Sequence, residues 1–408
     1  MPNVPAPLTT KKNALWNAAG CIFYLGCQWL TTVLVVVLST DYNNSGALAF
    51  AMSIGNMFAS VSLYRMRTYQ VSDISCEHSS KDYVGFRFVS ILFSLIFSCI
   101  YVAVISNNPA FLVATVAFLV FKIDETFVDV LYGIDQKGQR MDYIGKSQFM
   151  RGVLSLFGFV APFAANQSLP MAIIGMALCC MLVTLFYDLP RAKRFGDMHP
   201  RFSCNHLVAL GKACLMPTIA NFLTTSIVSI VRQRYGILTD QEMLGIYASI
   251  ATPAVLIQAG AAYLYSPLIR TLASSLQNGG PSAFKKSFLK VLGLLFACIA
   301  VATAGLSMVG GPLLELVYGN KIAPYLWIFP YVLGATTSIA ILLYVNDSLL
   351  IMRDGITQII INALAFGIIV LAADHFITAF DMNGINIAIM SACAPAAIAG
   401  IAKVLLQK

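Results

Sequence analysis

The stretch that decides the fold is AFLVATVAFLVFKIDETFVDVLY, residues 110–132. Its first half is uninterrupted apolar sequence, and its second half places Lys122, Asp124, Glu125 and Asp129 within eight residues. A charge near the centre of a bilayer costs about 2.5–3.5 kcal/mol on insertion scales, so such charges are kept only where they face water or protein. The stretch therefore predicts a membrane-spanning helix beside a polar interior. We expect a polytopic membrane protein that moves a solute across the bilayer.

The composition of the 408 residues supports this interpretation. Hydrophobic residues make up 58% and charged residues 11%, with a mean hydropathy of +0.78, which leaves too few charges for the surface of a soluble protein of this size. The net charge of +8 is explained by Lys and Arg in cytoplasmic loops, so no nucleic-acid partner is predicted. The cysteines show no metal-ligand spacing, and neither a metal site nor a cofactor is predicted. Because no catalytic motif is present, we do not expect an enzyme.

Hydropathy and charge together predict the topology. The loops that follow even-numbered spans carry many Lys and Arg, whereas links such as 39–45, 107–109 and 166–168 carry none. The positive-inside rule then places both termini in the cytoplasm. The predicted fold class is an all-α polytopic membrane protein with about twelve transmembrane helices. The predicted spans are 14–38, 46–65, 84–106, 110–132, 147–165, 169–188, 207–235, 242–269, 285–309, 323–352, 356–373 and 383–403.

An internal repeat divides these spans into two halves. Thr40-Asp41 followed by Gly46 recurs as Thr239-Asp240 followed by Gly245, at an offset of 199 residues (239 minus 40). Both copies fall in the loop that opens the second span of a half. Two halves of the same orientation form a parallel repeat about an axis along the membrane normal, which is a frequent plan of transporters. We predict an N-terminal six-helix half at 1–200 and a C-terminal six-helix half at 201–408.

Arg232 and Arg234 precede the second copy of the repeat. If the seventh span ends at Val231, both arginines lie in an exposed loop. If the helix continues, at least one guanidinium points into the polar interior, and the two cannot face the same way because residues two apart diverge by about 200° on a helix. Guanidinium groups bind phosphate in a bidentate fashion. The continued helix therefore predicts a phosphate contact.

The charges of the fourth span allow two interpretations. Lys122, Glu125 and Asp129 share one helix face, and Asp124 points elsewhere. Lys122 and Glu125 either neutralise each other in a structural pair, or this face forms a proton site, a cation site or a polar contact for a sugar. A desolvated carboxylate has a raised pKa and can bind a proton reversibly.

Other charged residues at the ends of predicted spans also have two interpretations. Asp347 in the tenth span either forms an ion pair at the membrane interface or lines the polar interior. Arg65, Arg67 and Arg270 are typical positive-inside markers, and they could also form a cationic mouth that meets a diphosphate.

Three stretches resemble the bacterial polysaccharide flippases of the multidrug/oligosaccharidyl-lipid/polysaccharide exporter superfamily. They are YRMRTYQVSD at 64–73, DVLYGIDQ at 129–136, and Arg234-Tyr235 before Gly245-Ile246-Tyr247. The resemblance implies a V-shaped protein with two six-helix bundles around a central cavity that is often cationic. It also implies that spans one, two, seven and eight line this cavity, which favours Arg232, Arg234 and Arg270 as substrate contacts.

The resemblance further implies a cargo and a location. Such proteins turn a polyprenyl-(di)phosphate-linked oligosaccharide from the cytoplasmic to the outer leaflet of the bacterial inner membrane by alternating access. The implied partners are this glycan lipid, membrane lipids, a coupling H⁺ or Na⁺, and other proteins of envelope-glycan assembly. Lipid II flippases of the superfamily carry arginines in the first span, and this chain has none between Lys12 and Arg65. An O-antigen, capsule or teichoic-acid type is therefore favoured.

Two alternatives remain open at this stage. A multidrug or cation antiporter of the same superfamily would favour an acidic interior, and the carboxylates of the fourth span support it. A membrane enzyme, such as a glycan polymerase, would require a large polar loop or a buried His/Asp pair near one face, and the sequence pattern shows neither.

Overall fold

The structure, a computed structural model, describes residues 6–73, 77–254, 258 and 268–406. Regular secondary structure in these ranges is helical throughout. Nine helices of the described residues are long and apolar enough to cross a membrane, and the protein is a multi-pass membrane protein. The helix Pro109–Lys137 is not among the nine, since it carries the cluster of charges that begins at Lys122. The number twelve therefore stays a prediction.

The chain forms two compact units, Met1–Thr218 and Ile219–Lys408, here called unit 1 and unit 2. The helices that lie wholly in unit 1 are α1 (Thr10–Val37), α2 (Asn43–Leu63), α3 (Met66–Ser72), α4 (Ser80–Ile105), α5 (Pro109–Lys137), α6 (Met141–Asn166), α7 (Leu169–Val183) and α8 (Leu189–Ala192). A π-turn over Thr184–Asp188 joins α7 to α8.

Unit 2 contains the larger part of a long helix that begins in unit 1, followed by the remaining helices. They are α9 (Cys204–Leu238), α10 (Gln241–Ala251), α11 (Ile269–Tyr318), α12 (Phe329–Ile351), α13 (Gly355–Phe380) and α14 (Gly384–Leu406), with 3₁₀ turns over Asn320–Ile328 and Asp381–Asn383. Most of the second part of the predicted eighth span, 255–257 and 259–267, lies outside the described residues.

The two compact units divide inside α9, between Thr218 and Ile219, and the six-helix halves at 1–200 and 201–408 stay a prediction. The first turns of α9 pack on unit 1, because Leu210 is buried in the same core cluster as Tyr83 of α4. The Tyr64 hydroxyl also donates a hydrogen bond to the Gly211 carbonyl over 3.3 Å. These contacts assign the start of α9 to unit 1.

Helix starts follow the local chemistry of the sequence. In the first copy of the repeat, Asp41 Oδ1 accepts a hydrogen bond from the Asn43 backbone at the start of α2. In the second copy, Asp240 caps α10 by accepting from the Met243 backbone. The aspartates of the two copies thus satisfy exposed N–H groups at the start of the corresponding helix in each unit.

Small residues let the helices of unit 1 approach closely. A Cβ on Gly158 of α6 would lie 2.6 Å from the Gly175 carbonyl oxygen of α7. A Cβ on Gly20 of α1 would lie 2.5 Å from Gly145 Cα in α6. Backbones in direct contact are typical of membrane helices, which lack a hydrophobic driving force for association. This packing fixes α6 between α1 and α7 and so positions Arg151, which α6 carries.

Candidate substrate and coupling sites

The four charged side chains between Lys122 and Asp129 of α5 have partners in three separate groups. Asp124 points to α6 and to the π-turn, whereas the helical spacing predicted only that it points away from the face of Lys122, Glu125 and Asp129. Asp129 points to α3 and α4. Lys122 and Glu125 pair with each other. The four charges do not form one site.

The first group is a buried ion pair between Asp124 and Arg151. The two side chains are only 6% and 2% exposed, and Arg151 Nη2 donates directly to Asp124 Oδ2. Thr184 Oγ1 donates to Asp124 Oδ1 over 2.7 Å and accepts from Arg151 Nη1 over 2.7 Å. The π-turn also brings Asp188 to within 3.7 Å of Arg151 Nη1. Arg151 thus joins α6 to α5, to α7 and to the π-turn.

The second group gathers two arginines on Asp129. Arg87 of α4, which is fully buried, donates to Asp129 Oδ2 over 2.8 Å and to the Ser62 carbonyl over 2.5 Å. Arg67 of α3 lies 3.4 Å from Asp129 Oδ1 and donates to Gln136 Oε1 over 2.9 Å. Arg67, a predicted substrate contact, is therefore held against α5. Sequence analysis did not single out Arg87, because its partner lies on another helix.

The third group is the most open of the three. Lys122 and Glu125 form a direct ion pair with side chains 15% and 27% exposed. The Tyr24 hydroxyl of α1 donates to Glu125 Oε1 over 3.0 Å. Glu125 therefore has partners on two helices and remains partly accessible.

Asp135, near the end of α5, is a buried carboxylate that sequence analysis did not single out. Its side chain is 1% exposed, and its Oδ1 has no hydrogen-bond partner in the described part of the chain. Asp188 and Asp142 are its carboxylate neighbours, and the cations that act on it are Arg67 and Arg140. Its position is only a weak signal in the sequence, because Asp135 follows the predicted end of the span at 132.

In unit 2, α9 continues past Val231 to Leu238, so the alternative that placed Arg232 and Arg234 in an exposed loop is wrong. Arg232 is half-buried, and its Nε is buried without an acceptor among the described residues. Across the described ranges, no carboxylate oxygen lies within 4 Å of its guanidinium. Tyr247 of α10 lies close enough to Arg232 for an electrostatic interaction with the guanidinium. The Tyr247 hydroxyl donates a hydrogen bond to Asn386 Oδ1.

Arg234 points in another direction and is paired. Its Nε and Nη2 donate to the two carboxylate oxygens of Asp374 in α13, over 2.7 and 2.5 Å. Both side chains are partly exposed, at 37% and 51%. Arg234 therefore has a carboxylate partner, whereas Arg232 has none within the described ranges. Their spacing in the sequence could not show this difference.

The remaining predicted residues lie apart from these groups. Asp347 is half-buried on α12, next to Asn346, which is bonded to Asn362 and Thr224. Arg65 is exposed at the junction of α2 and α3, with a φ of 49°. The side chain of Arg270 lies outside the described residues.

Comparison with solved structures identifies the fold. The chain superimposes on a multidrug resistance MATE family transporter of the MOP superfamily in an inward-facing conformation, with a TM-score of 0.73, 11% identity and 93% of each chain covered. It also superimposes on the lipid II flippase MurJ in an inward closed conformation, with a TM-score of 0.73, 12% identity, and coverage of 96% of this chain and 87% of that one. The protein thus has the fold that these two solved structures share.

Sequence comparison adds a relative that is similar to part of the chain. The chain is 25% identical over 233 residues to the capsular polysaccharide biosynthesis protein CapF of Staphylococcus aureus. This similarity spans 55% of the chain and about half, 56%, of the relative. No family model matches the sequence.

Proposed function

We propose that the protein is a flippase of the bacterial inner membrane, with both termini in the cytoplasm. Its cargo is a polyprenyl-(di)phosphate-linked oligosaccharide, which moves from the cytoplasmic to the outer leaflet by alternating access. The proposal rests on the environment of Arg232. It is a half-buried guanidinium whose Nε has no acceptor and which has no carboxylate partner in the described ranges. Such a group is costly unless an anion binds it.

The chemistry of the cargo matches this requirement. A phosphate group cannot cross hydrocarbon without replacing its hydration shell, and an arginine fork replaces it with charge-assisted hydrogen bonds. In this proposal Arg232 contacts the phosphate in the polar interior. Arg65, Arg67, Arg234 and Arg270 contribute to the positive potential that attracts the headgroup.

The similarity to CapF supports a capsule-type glycan, because that relative is named for capsular polysaccharide biosynthesis. The likeness to MurJ supports a lipid-linked cargo, since that neighbour is a lipid II flippase. Other proteins of envelope-glycan assembly are the expected partners, since they would supply and consume the glycan lipid.

The acidic residues of unit 1 are proposed to serve two purposes. Asp124 and Asp129 hold helices together through buried arginines. Glu125 is partly open, and Asp135 has an oxygen without a partner, so these two are the candidates for binding a coupling H⁺ or Na⁺. Lys122 takes part in the proposed coupling as the ion-pair partner of Glu125. Asp347 takes part as a polar side chain of unit 2.

A multidrug or cation antiporter is the second candidate. The MATE transporter fold is compatible with it, and the unpartnered oxygen of Asp135 would suit a cationic or proton-coupled process. Arg232 disfavours it, because a guanidinium that has no carboxylate partner in the described part of the chain repels organic cations.

The first test is mass spectrometry of lipids that remain with the protein after gentle purification. We expect a polyprenyl phosphate or diphosphate that carries sugars. The second test uses proteoliposomes loaded with a fluorescent polyprenyl-diphosphate sugar, whose arrival in the opposite leaflet is read by quenching. Ethidium flux in the same vesicles tests the antiporter.

The two candidate functions give opposite results. Transfer of the diphosphate lipid without ethidium flux supports the flippase. Ethidium flux that depends on an H⁺ or Na⁺ gradient, without lipid transfer, would overturn the proposal in favour of the antiporter.

A further inference from the structure

His78, Asp82 and His206 come together in unit 1, although they are far apart in the sequence. His78 precedes α4, Asp82 lies in its first turn, and His206 lies in the first turn of α9. One ligand atom from each residue lies within 4.8 Å of the others. The geometry points to a binding site for a divalent transition-metal ion at this place, which is separate from the proposed transport function.

The distance between the two ring nitrogens fits a metal. His78 Nδ1 and His206 Nδ1 are 3.2 Å apart. Two Zn–N bonds of about 2.0–2.1 Å at a tetrahedral angle place their nitrogens about 3.3 Å apart. His206 Nδ1 lies 4.0 Å from Asp82 Oδ2, so a small rotation of the carboxylate completes three ligands. Two imidazoles and a carboxylate leave one position of a tetrahedral ion for water.

The ligands are held in place by their surroundings. Asp82 is fully buried and accepts from the backbone and hydroxyl of Ser79 over 2.9 and 2.7 Å. The His78 backbone donates to Asp73 Oδ2, and the His78 ring lies between the rings of Tyr69 and Tyr83. His206 is 34% exposed, so an ion can reach the site from solvent.

Arg201 occupies the place of the metal in this structure. Its Nε and Nη2 donate to the two oxygens of Asp82 over 2.6 and 2.7 Å, and its Nη2 lies 3.3 Å from His206 Nε2. Because arginine is only a donor, His206 Nε2 accepts, and the ring proton is on Nδ1, which donates to His78 Nδ1. Arg201 is 47% exposed and can move into solvent.

Metal binding and the Arg201 contact exclude each other. Ligation through Nδ1 of His206 moves the ring proton to Nε2, where it would face an arginine donor. The positive guanidinium also competes with the ion for Asp82. The metal therefore replaces Arg201, and it joins the start of α4 to the first turn of α9.

The test is a titration of chelator-treated full-length protein in detergent with Zn²⁺, by calorimetry and by competition with a chromophoric chelator. We expect one ion per chain and a rise in melting temperature, because binding to the folded state stabilises it. His78→Ala and His206→Ala should each weaken the affinity at least about tenfold. Co²⁺ in place of Zn²⁺ should give the visible absorption of a tetrahedral site.

Two further variants make the test specific. His199→Ala is the matched control, because His199 lies in the linker between α8 and α9 that also carries Arg201. Its side chain is 85% exposed and pairs with Asp197. The His199→Ala variant should bind Zn²⁺ as the unmodified protein does. Arg201→Ala should bind Zn²⁺ more tightly, since it removes the competing cation. Equal affinity in the His78, His206 and His199 variants would overturn the inference, and so would weaker binding in Arg201→Ala.

Discussion

Unit 1 and unit 2 use charge in different ways. In unit 1, buried arginines are matched with carboxylates on neighbouring helices, as Arg151 is with Asp124 and Arg87 with Asp129. In unit 2, the buried polar contacts are made by neutral amides, as between Asn346 and Asn362, and Arg232 has no carboxylate near it in the described ranges. Buried arginines are therefore used for structure in unit 1, whereas Arg232 of unit 2 is the group that we propose binds an anion.

The comparison bears on where transport chemistry can occur. A charge that is already paired and buried contributes to stability when both partners are present, and it offers little to a substrate. A partly buried charge without a partner costs stability, and it can bind a substrate of opposite charge. The residues most visible in the sequence, the charges of α5, belong mainly to the first kind.

The largest effect is expected from Asp124→Ala. Removal of one partner of a buried ion pair costs about 3–5 kcal/mol, because the remaining charge stays buried without compensation. Arg151 would keep Thr184 and the more distant Asp188. The melting temperature of the purified protein should fall strongly, and the yield of monodisperse protein should fall with it.

Two control variants sharpen this prediction. Glu125→Ala breaks the pair with Lys122, which is more open than the pair of Asp124 and Arg151, and it should cost less than Asp124→Ala. The double variant Asp124→Ala/Arg151→Met removes both charges and should recover part of the lost stability. If Asp124→Ala and Glu125→Ala melt at the same temperature, Asp124 is not structural and the contrast between the units fails.

The next effect is on transport and concerns Arg232→Ala. Hydrogen bonds to charged groups contribute about 1.5–3 kcal/mol, so loss of the phosphate contact should slow lipid transfer about 10–100-fold. Stability should hold, because the variant removes a partly buried charge that has no carboxylate partner in the described ranges. Lipid transfer in proteoliposomes and the melting temperature are measured on the same preparation.

Arg232→Lys is the matched variant, since it keeps the charge and loses the fork. It should transfer lipid at a rate between those of Arg232→Ala and the unmodified protein. Unchanged transfer in Arg232→Ala would mean that the anion binds elsewhere.

A smaller effect is expected from the amide pair of unit 2. Asn362 Nδ2 donates to Asn346 Oδ1 over 2.9 Å, and Asn346 Nδ2 donates to Asn362 Oδ1 over 3.2 Å. Interhelical hydrogen bonds in membranes contribute about 0.6–2 kcal/mol, so Asn362→Ala should lower the melting temperature modestly. A double-mutant cycle with Asn346→Ala measures the coupling. Coupling as large as that of Asp124 and Arg151 would remove the energetic difference between the units.

The helices could be predicted from the sequence because hydropathy and turn residues are local signals. The predicted span 84–106 corresponds to α4, Ser80–Ile105, and 383–403 corresponds to α14, Gly384–Leu406. The unit boundary could not be read in this way, since it depends on where the first turns of α9 pack. Helical periodicity alone predicted that Asp124 points away from the face of Lys122 and Glu125.

The partners of Asp124, Asp129 and Arg234 could not be predicted, because they lie on other helices. Arg87 has no carboxylate three or four residues away to reveal its role, and it is bonded to Asp129, 42 residues later. Asp374 lies one residue past the predicted end of its span at 373. In the structure it lies within α13 and pairs with Arg234. The sequence spacing could not show which of Arg232 and Arg234 is paired with a carboxylate, and only the tertiary contacts distinguish the two.

The smallest effect on stability is expected from Arg234→Ala. The pair with Asp374 has good bidentate geometry, but both side chains are partly exposed, so its contribution is about 1 kcal/mol or less. Because salt screens exposed charges, the difference in melting temperature should shrink at high ionic strength. Asp374→Ala should have the same effect, and the double variant should add little to either. If Arg234→Ala instead abolishes lipid transfer while Asp374→Ala leaves it intact, Arg234 contacts the cargo directly. Unit 2 would then offer two cations to the anion, and the ion pair with Asp374 would be a resting contact that the phosphate displaces.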